Sequence, residues 1–200
     1  MLKHVKLRLL NLSMIKTDII NLKREVNVMP RQPNHSGGGA QTNVNGLRFE
    51  QITDLKTALL NAGFRVDGDH VYKGDEEIGM STPKYRIYNY LVGLKINYKD
   101  YNSKKWLPDE AFINYMNKTV YIIEKKFQHG GGSVDEKLPG CDFKKQEYLK
   151  LFRPLGYKVE YIYLFNDWFR QDVYRDVRDY IESVGCKYFF NEIPLKELGI

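Results

Sequence analysis

Two apolar runs with a helix-patterned segment between them constrain the fold most. Residues 120–128 (VYIIEKKFQ) and 158–165 (KVEYIYLF) are dense in Val, Ile, Tyr and Phe, which suit a pleated and largely buried surface. Residues 143–152, between them, carry helical spacing. A strand, a helix and a strand in that order predict a crossover within one sheet. Residues 111–115 form a further strand, and the turn signal Asn117-Lys118 joins it to the first run as a hairpin. Downstream, residues 168–184 are amphipathic, with Val173, Val177, Tyr180, Ile181 and Val184 on one side, and residues 187–193 read as a last strand. The expected class is α/β, a central mixed β-sheet flanked by helices.

The N-terminal part has a different pattern. Residues 2–28 place Leu9, Leu12, Ile15, Ile19, Leu22 and Val26 at helical spacing, which predicts an N-terminal helical segment. Residues 30–45 are rich in Gly, Asn, Gln and Pro, with Gly37, Gly38 and Gly39 in a row, and read as a loop or linker. The expected division is an arm and polar loop at 1–45 and a main domain at 46–200. Residues 47–62 read as one helix with Phe49, Ile52, Leu55 and Leu59 inward and Gly63 as its stop. Residues 71–78 read as a hairpin turning at Gly74-Asp75. Ser81 reads as the cap of a helix that has Pro83 in its first turn and continues through Tyr85, Tyr88 and Leu91.

Lys plus Arg total 31 against 25 Asp plus Glu, a formal charge of +6. That balance favours a polyanionic partner, since each neutralised phosphate releases condensed counterions. Cys141 and Cys186 lie far apart, and His4, His35, His70 and His129 are scattered, so a zinc site is not expected. No apolar run is long enough to span a bilayer. Lys3, Lys6 and Arg8 interrupt the apolar start, which argues against a secretory signal peptide. Reduced cysteines and a cytoplasmic location are the simplest expectation.

The chemistry concentrates at Pro108-Asp109 and Glu124-Lys125-Lys126. Side chains alternate along a strand, so Glu124 and Lys126 share a face. The hairpin between them brings Asp109 beside Glu124, which gathers two carboxylates and an ammonium at one spot. Two carboxylates suit a hard divalent cation that keeps several waters. A lysine beside them steadies developing negative charge or orients a water. The run WLPDEAFIN at 106–114 followed by VYIIEKKFQ, with fourteen residues between Asp109 and Glu124, resembles the PD-(D/E)XK signature of type II restriction endonucleases.

That resemblance implies a restriction-endonuclease-like core and Mg2+-dependent cleavage of double-stranded DNA by a metal-activated water, leaving a 5′-phosphate, with Mn2+ as a substitute metal. It implies Asp109 and Glu124 as metal ligands and Lys126 as the catalytic lysine. Glu50, on the upstream helix, is similar in position to a further acidic residue near the metal. A homodimer and a cognate methyltransferase acting on the same site are the implied partners. Alternatives are a repair or recombination nuclease with the same core, a non-catalytic DNA-binding module, and a protein-interaction domain with a basic surface.

Further candidates for DNA contact follow from residue type. Gln128 continues the Glu124–Lys126 face and either binds phosphate or water or faces solvent. The Gly-rich stretch 129–138 offers backbone amides, Ser133 and Lys137 to a phosphate, or is a plain connection. Arg31, Gln32, Asn34, His35, Gln41 and Asn43 are side chains that read base edges, set in what is otherwise a linker. Tyr85, Tyr88 and Tyr90, between Lys84 and Arg86, suit a core, a DNA surface or a dimer surface. His129-Gly-Gly-Gly resembles the oxyanion-hole segment of lipases, but the chain has no Gly-X-Ser-X-Gly elbow, so a serine hydrolase is set aside.

Overall fold

The computed structural model describes residues 39–130 and 134–200. Seven strands form one sheet in chain order: β1 Arg65–Asp67, β2 His70–Lys73, β3 Glu76–Pro83, β4 Glu110–Asn114, β5 Thr119–Lys126, β6 Lys158–Phe165 and β7 Lys187–Phe190. Pairing is antiparallel from β1 to β5 and parallel from β5 through β7. The helices are α1 Gly39–Ile52, α2 Leu55–Asn61, α3 Arg86–Gly93, α4 Cys141–Phe152 and α5 Arg175–Ser183. The two parallel pairs are made by crossovers through α4 and α5, as parallel strands require. The protein is thus an α/β fold with a mixed sheet flanked by helices.

Alternation along the central strands divides the core into two layers. Val120 and Ile122 of β5 and Tyr161, Tyr163 and Phe165 of β6 pack with Tyr88 and Leu91 of α3, Tyr148 and Leu151 of α4, and Ile181 of α5. Tyr121 and Ile123 of β5 and Ile162 and Leu164 of β6 face the other way, onto Phe49 of α1, Leu55 and Leu59 of α2, and Leu198. Because β5 is covered on both faces, it reads as a continuous apolar run and not as an alternating one. Gly79 of β3 lets β4 come close, since a Cβ there would lie 2.3 Å from the Ile113 carbonyl oxygen.

Several expectations need correction. The segment 47–62 is two helices. Asp54 adopts an extended backbone and its carboxylate accepts from the Thr57 N–H at 2.8 Å, so it caps a second helix inside the apparent stripe. Ile52, at the end of α1, is exposed and does not face inward. The change from loop to helix falls at Gly39 and not after residue 45, so Gln41 and Asn43 lie in α1. The first half of that helix had no apolar stripe to reveal it, and Val44 and Leu47 point outward.

Ser81 caps no helix. It sits within β3, opposite Phe112, and its N–H donates to the Asp69 carbonyl at 2.8 Å. Pro83 ends that strand. The segment 168–184 opens with 3-10 turns at Asp167–Arg170 and Asp172–Tyr174, and only then becomes α5, leaving Val173 exposed. The last strand stops at Phe190, where Asn191 turns the chain with a φ of 65°. The helices expected at 2–28 and most of the polar loop lie outside the described residues.

Candidate active site

Strand β5 carries its charged residues where a sheet normally carries apolar ones. Glu124 is 6% exposed and Lys125 is 7% exposed, so neither is a solvated surface charge. A buried charge is tolerated only when paired, and each of these is. On one face, the Glu124 carboxylate accepts from Lys126 Nζ at 2.8 Å on Oε2 and from Lys144 Nζ of α4 at 2.8 Å on Oε1. On the other, Lys125 Nζ lies 3.1 Å from Glu110 Oε1 and donates to the Glu50 carbonyl at 3.0 Å.

Asp109 stands one residue before β4, and the hairpin register places it across from Glu124, since Glu110 pairs with Ile123. Its Oδ2 accepts from the Lys125 backbone N–H at 2.7 Å. Burial raises the Asp109 carboxyl above the usual range. The neighbouring Glu124 charge adds to that, and so does Glu50, against the Lys125 N–H and the Lys126 ammonium. Burial also acts to raise Glu124, but Lys126 and Lys144 together hold it below the usual range. The hairpin therefore does gather Asp109, Glu124 and Lys126, and the end of α1 brings Glu50 within electrostatic reach of Asp109.

Three tyrosines, Tyr148, Tyr161 and Tyr163, lie within electrostatic reach of Glu124. Tyr148 donates to the Trp106 carbonyl at 2.9 Å and Tyr163 to the Leu138 carbonyl at 3.1 Å. The Tyr161 hydroxyl is buried with no hydrogen-bond partner among the described residues. Burial, then the Glu124 charge, push its titration up, so it stays protonated and has a proton to donate.

Among the described residues no group of three or more His, Cys, Asp and Glu is arranged to hold a metal ion. Glu50 lies within electrostatic reach of Asp109, as an acidic residue near that pair. The pair alone fits Mg2+, which takes one or two carboxylates and keeps several waters. The donor set is all oxygen, with no His or Cys to favour a softer metal.

The remaining candidates divide. Gln128 is buried and does not face solvent. Its N–H donates to Asn166 Oδ1 at 3.2 Å, its carbonyl accepts from Asn166 Nδ2 at 2.9 Å, and its side chain donates to the Gly130 carbonyl. Lys137 is exposed on the 3-10 turn Asp135–Gly140 that leads into α4. Ser133, Arg31, Gln32, Asn34 and His35 lie outside the described residues. Of the clustered tyrosines, Tyr88 is in the core with its hydroxyl on the Trp106 carbonyl, Tyr90 meets Tyr157, and Tyr85 is exposed.

Lys144, Lys125 and Glu110 were missed from sequence. The signal for Lys125 and Glu110 was their position, adjacent to the candidate acids yet on the strand's other face. No protein-family model, curated protein or solved structure matches this chain.

Proposed function

We propose that this protein is a Mg2+-dependent deoxyribonuclease of the restriction-endonuclease-like kind, which hydrolyses phosphodiester bonds of double-stranded DNA. The observation that carries the reading is the placement of the half-buried Asp109 carboxylate close enough to buried Glu124 for the Glu124 charge to disfavour its ionisation, with the Lys126 ammonium 2.8 Å from Glu124. Such a pair calls for a cation. Asp109 and Glu124 would hold Mg2+. Bound there, it would polarise a phosphoryl oxygen and acidify a water.

The chain's own groups supply the rest. Lys126 is partly exposed, so its ammonium can reach a water or a phosphate oxygen from its seat on Glu124. Lys144 brings a second positive charge to the same carboxylate from the opposite side. Together they offset the negative charge that builds on phosphorus-bound oxygens during in-line attack. The burial of the site limits competing water and strengthens each of these interactions. A palindromic duplex target would be served by a homodimer, and a site-specific enzyme would go with a methyltransferase protecting the same sequence.

Digestion of a sequenced plasmid with Mg2+, with the ends mapped, tests the reading. Lys126→Ala is expected to lose about a hundred- to a thousand-fold in rate, as when one charge-stabilising donor is removed from a preorganised site. Undiminished cleavage by Lys126→Ala sinks the assignment. Discrete fragments mark a site-specific restriction enzyme, whereas cutting only at nicks or junctions marks a repair enzyme with the same chemistry.

A further inference from the structure

Beside the charged cluster the protein exposes an aromatic and aliphatic rim. Leu107 is 52% exposed and Phe143 is 55% exposed. Leu107 lies two residues before Asp109, and Phe143 is the neighbour of Lys144, whose ammonium rests on Glu124. Single exposed apolar residues are ordinary on protein surfaces. This pair is distinguished by what holds it.

Trp106 joins the two and is fixed from several directions. Its carbonyl accepts from both Tyr88 and Tyr148, its N–H donates to the Tyr88 hydroxyl at 2.8 Å, and its indole Nε1 donates to buried Glu147 at 3.3 Å. The Phe143 ring meets Trp106 edge-on with centroids 5.5 Å apart. Lys104 Nζ stands 3.8 Å from the centre of the Trp106 ring, and Lys105 follows it in the chain. The result is a rigid aromatic surface, one end at the candidate catalytic residues and the other among lysines.

We propose that this rim is a stacking platform for an unpaired nucleobase next to the scissile phosphate, so that the preferred substrate is DNA opened at that nucleotide. The proposal rests on the nuclease reading and names the form of its substrate. Bases in an intact duplex show only their edges in the grooves, and their faces are covered by neighbouring bases. An exposed phenyl ring gains stacking energy only from a base that has left the stack. Aromatic rings interleaved with lysines are the pattern of single-strand recognition, with rings taking bases and ammonium groups taking phosphates. A protein partner is less well matched, because the lysines beside the apolar residues would be buried without counter-charges.

The test uses 2-aminopurine oligonucleotides of one sequence in three forms: single-stranded, splayed at the labelled nucleotide, and fully paired. Binding is measured in the full-length Lys126→Ala protein, so that cleavage does not interfere. Stacking predicts quenched fluorescence with the single-stranded and splayed forms. Adding Phe143→Ala is expected to weaken their binding about ten-fold and to relieve the quench, while Phe143→Tyr keeps both. Fully paired DNA bound as tightly as the splayed form overturns the proposal, as does a signal that Phe143→Ala leaves unchanged. If the wild-type protein leaves plasmid DNA uncut in Mg2+, the nuclease reading fails separately, while the fluorescence still decides the stacking.

Discussion

Lys144 stands twenty positions after Glu124 in the chain, yet its ammonium lies as close to that carboxylate as the Lys126 ammonium does. Both carboxylate oxygens of a buried acid are thereby matched, one by a neighbour on the same strand and one by the crossover helix. Nothing in the local pattern of α4 marks this residue, which becomes visible only when the helix packs on the sheet. If Lys144 supports the negative charge of the reacting phosphate, its loss should resemble the loss of one preorganised donor. Lys144→Ala is expected to slow single-turnover cleavage at saturating Mg2+ by about a hundred-fold, with partial recovery in Lys144→Arg. A rate equal to that of the wild-type protein removes Lys144 from the machinery.

At the scale of elements, the site depends on a lock between two helices and two strands. Lys125 Nζ binds Glu110 of β4 and the Glu50 carbonyl of α1, and the Glu110 carboxylate in turn accepts from the Leu55 N–H at the start of α2 at 3.3 Å. Burial pushes the Glu110 carboxyl up to about 7, against the pull of the Lys125 ammonium, from an ordinary 4.5. The folded chain therefore holds this proton more tightly than the unfolded chain. That contribution to stability is complete below pH 4.5 and is lost as the pH rises through about 7. Lys125→Met leaves Glu110, whose side chain is 13% exposed, without its counter-ion, which is expected to cost about 3 kcal/mol where Glu110 is ionised and less where it is protonated. Thermal melts of both proteins in metal-free buffer at about pH 5 and pH 8 check this. A loss no larger at the higher pH refutes the lock.

The same elements show how far the sequence could be read. The β2–β3 hairpin, the β4–β5 hairpin, α4 and β6 were legible because apolar spacing and turn residues agree there. The spacing of Asp109, Glu124 and Lys126 was legible for the same reason, since the hairpin register alone brings them together. The break between α1 and α2 was hidden by an apolar stripe that runs through it, although Asp54 was a cap in plain view. Ser81 misled because a serine before a proline suits a helix start, while its neighbours in β2 and β4 were remote in sequence. The lock and Lys144 depend on contacts between distant segments, which periodicity does not report.

At the scale of the whole molecule, helices cover both faces of the sheet, and the charged cluster lies at the carboxyl end of β5, where an antiparallel neighbour meets a parallel one. Ligands of α/β sheets commonly bind at strand ends of this kind, because the faces are occupied. Lys126 and Lys144 stand at that end, and Lys104 and Lys105 lie in the segment that leads to Asp109, beside the Trp106 ring and the Tyr88 and Tyr98 rings, in a chain whose net charge is +6. If all four meet phosphates, binding must release counterions in proportion. The slope of log Kobs against log salt is then expected near −3 for a single strand, from about −0.7 for each neutralised phosphate. Replacing Lys104 and Lys105 together with Ala should shrink that slope by about 1.4. Titrations in EDTA over a range of NaCl concentrations measure this without cleavage. A flat line for the wild-type protein argues against any polyanionic ligand. A slope that the double variant leaves intact places the strand on another surface, because charges that do not touch the nucleic acid release no ions from it.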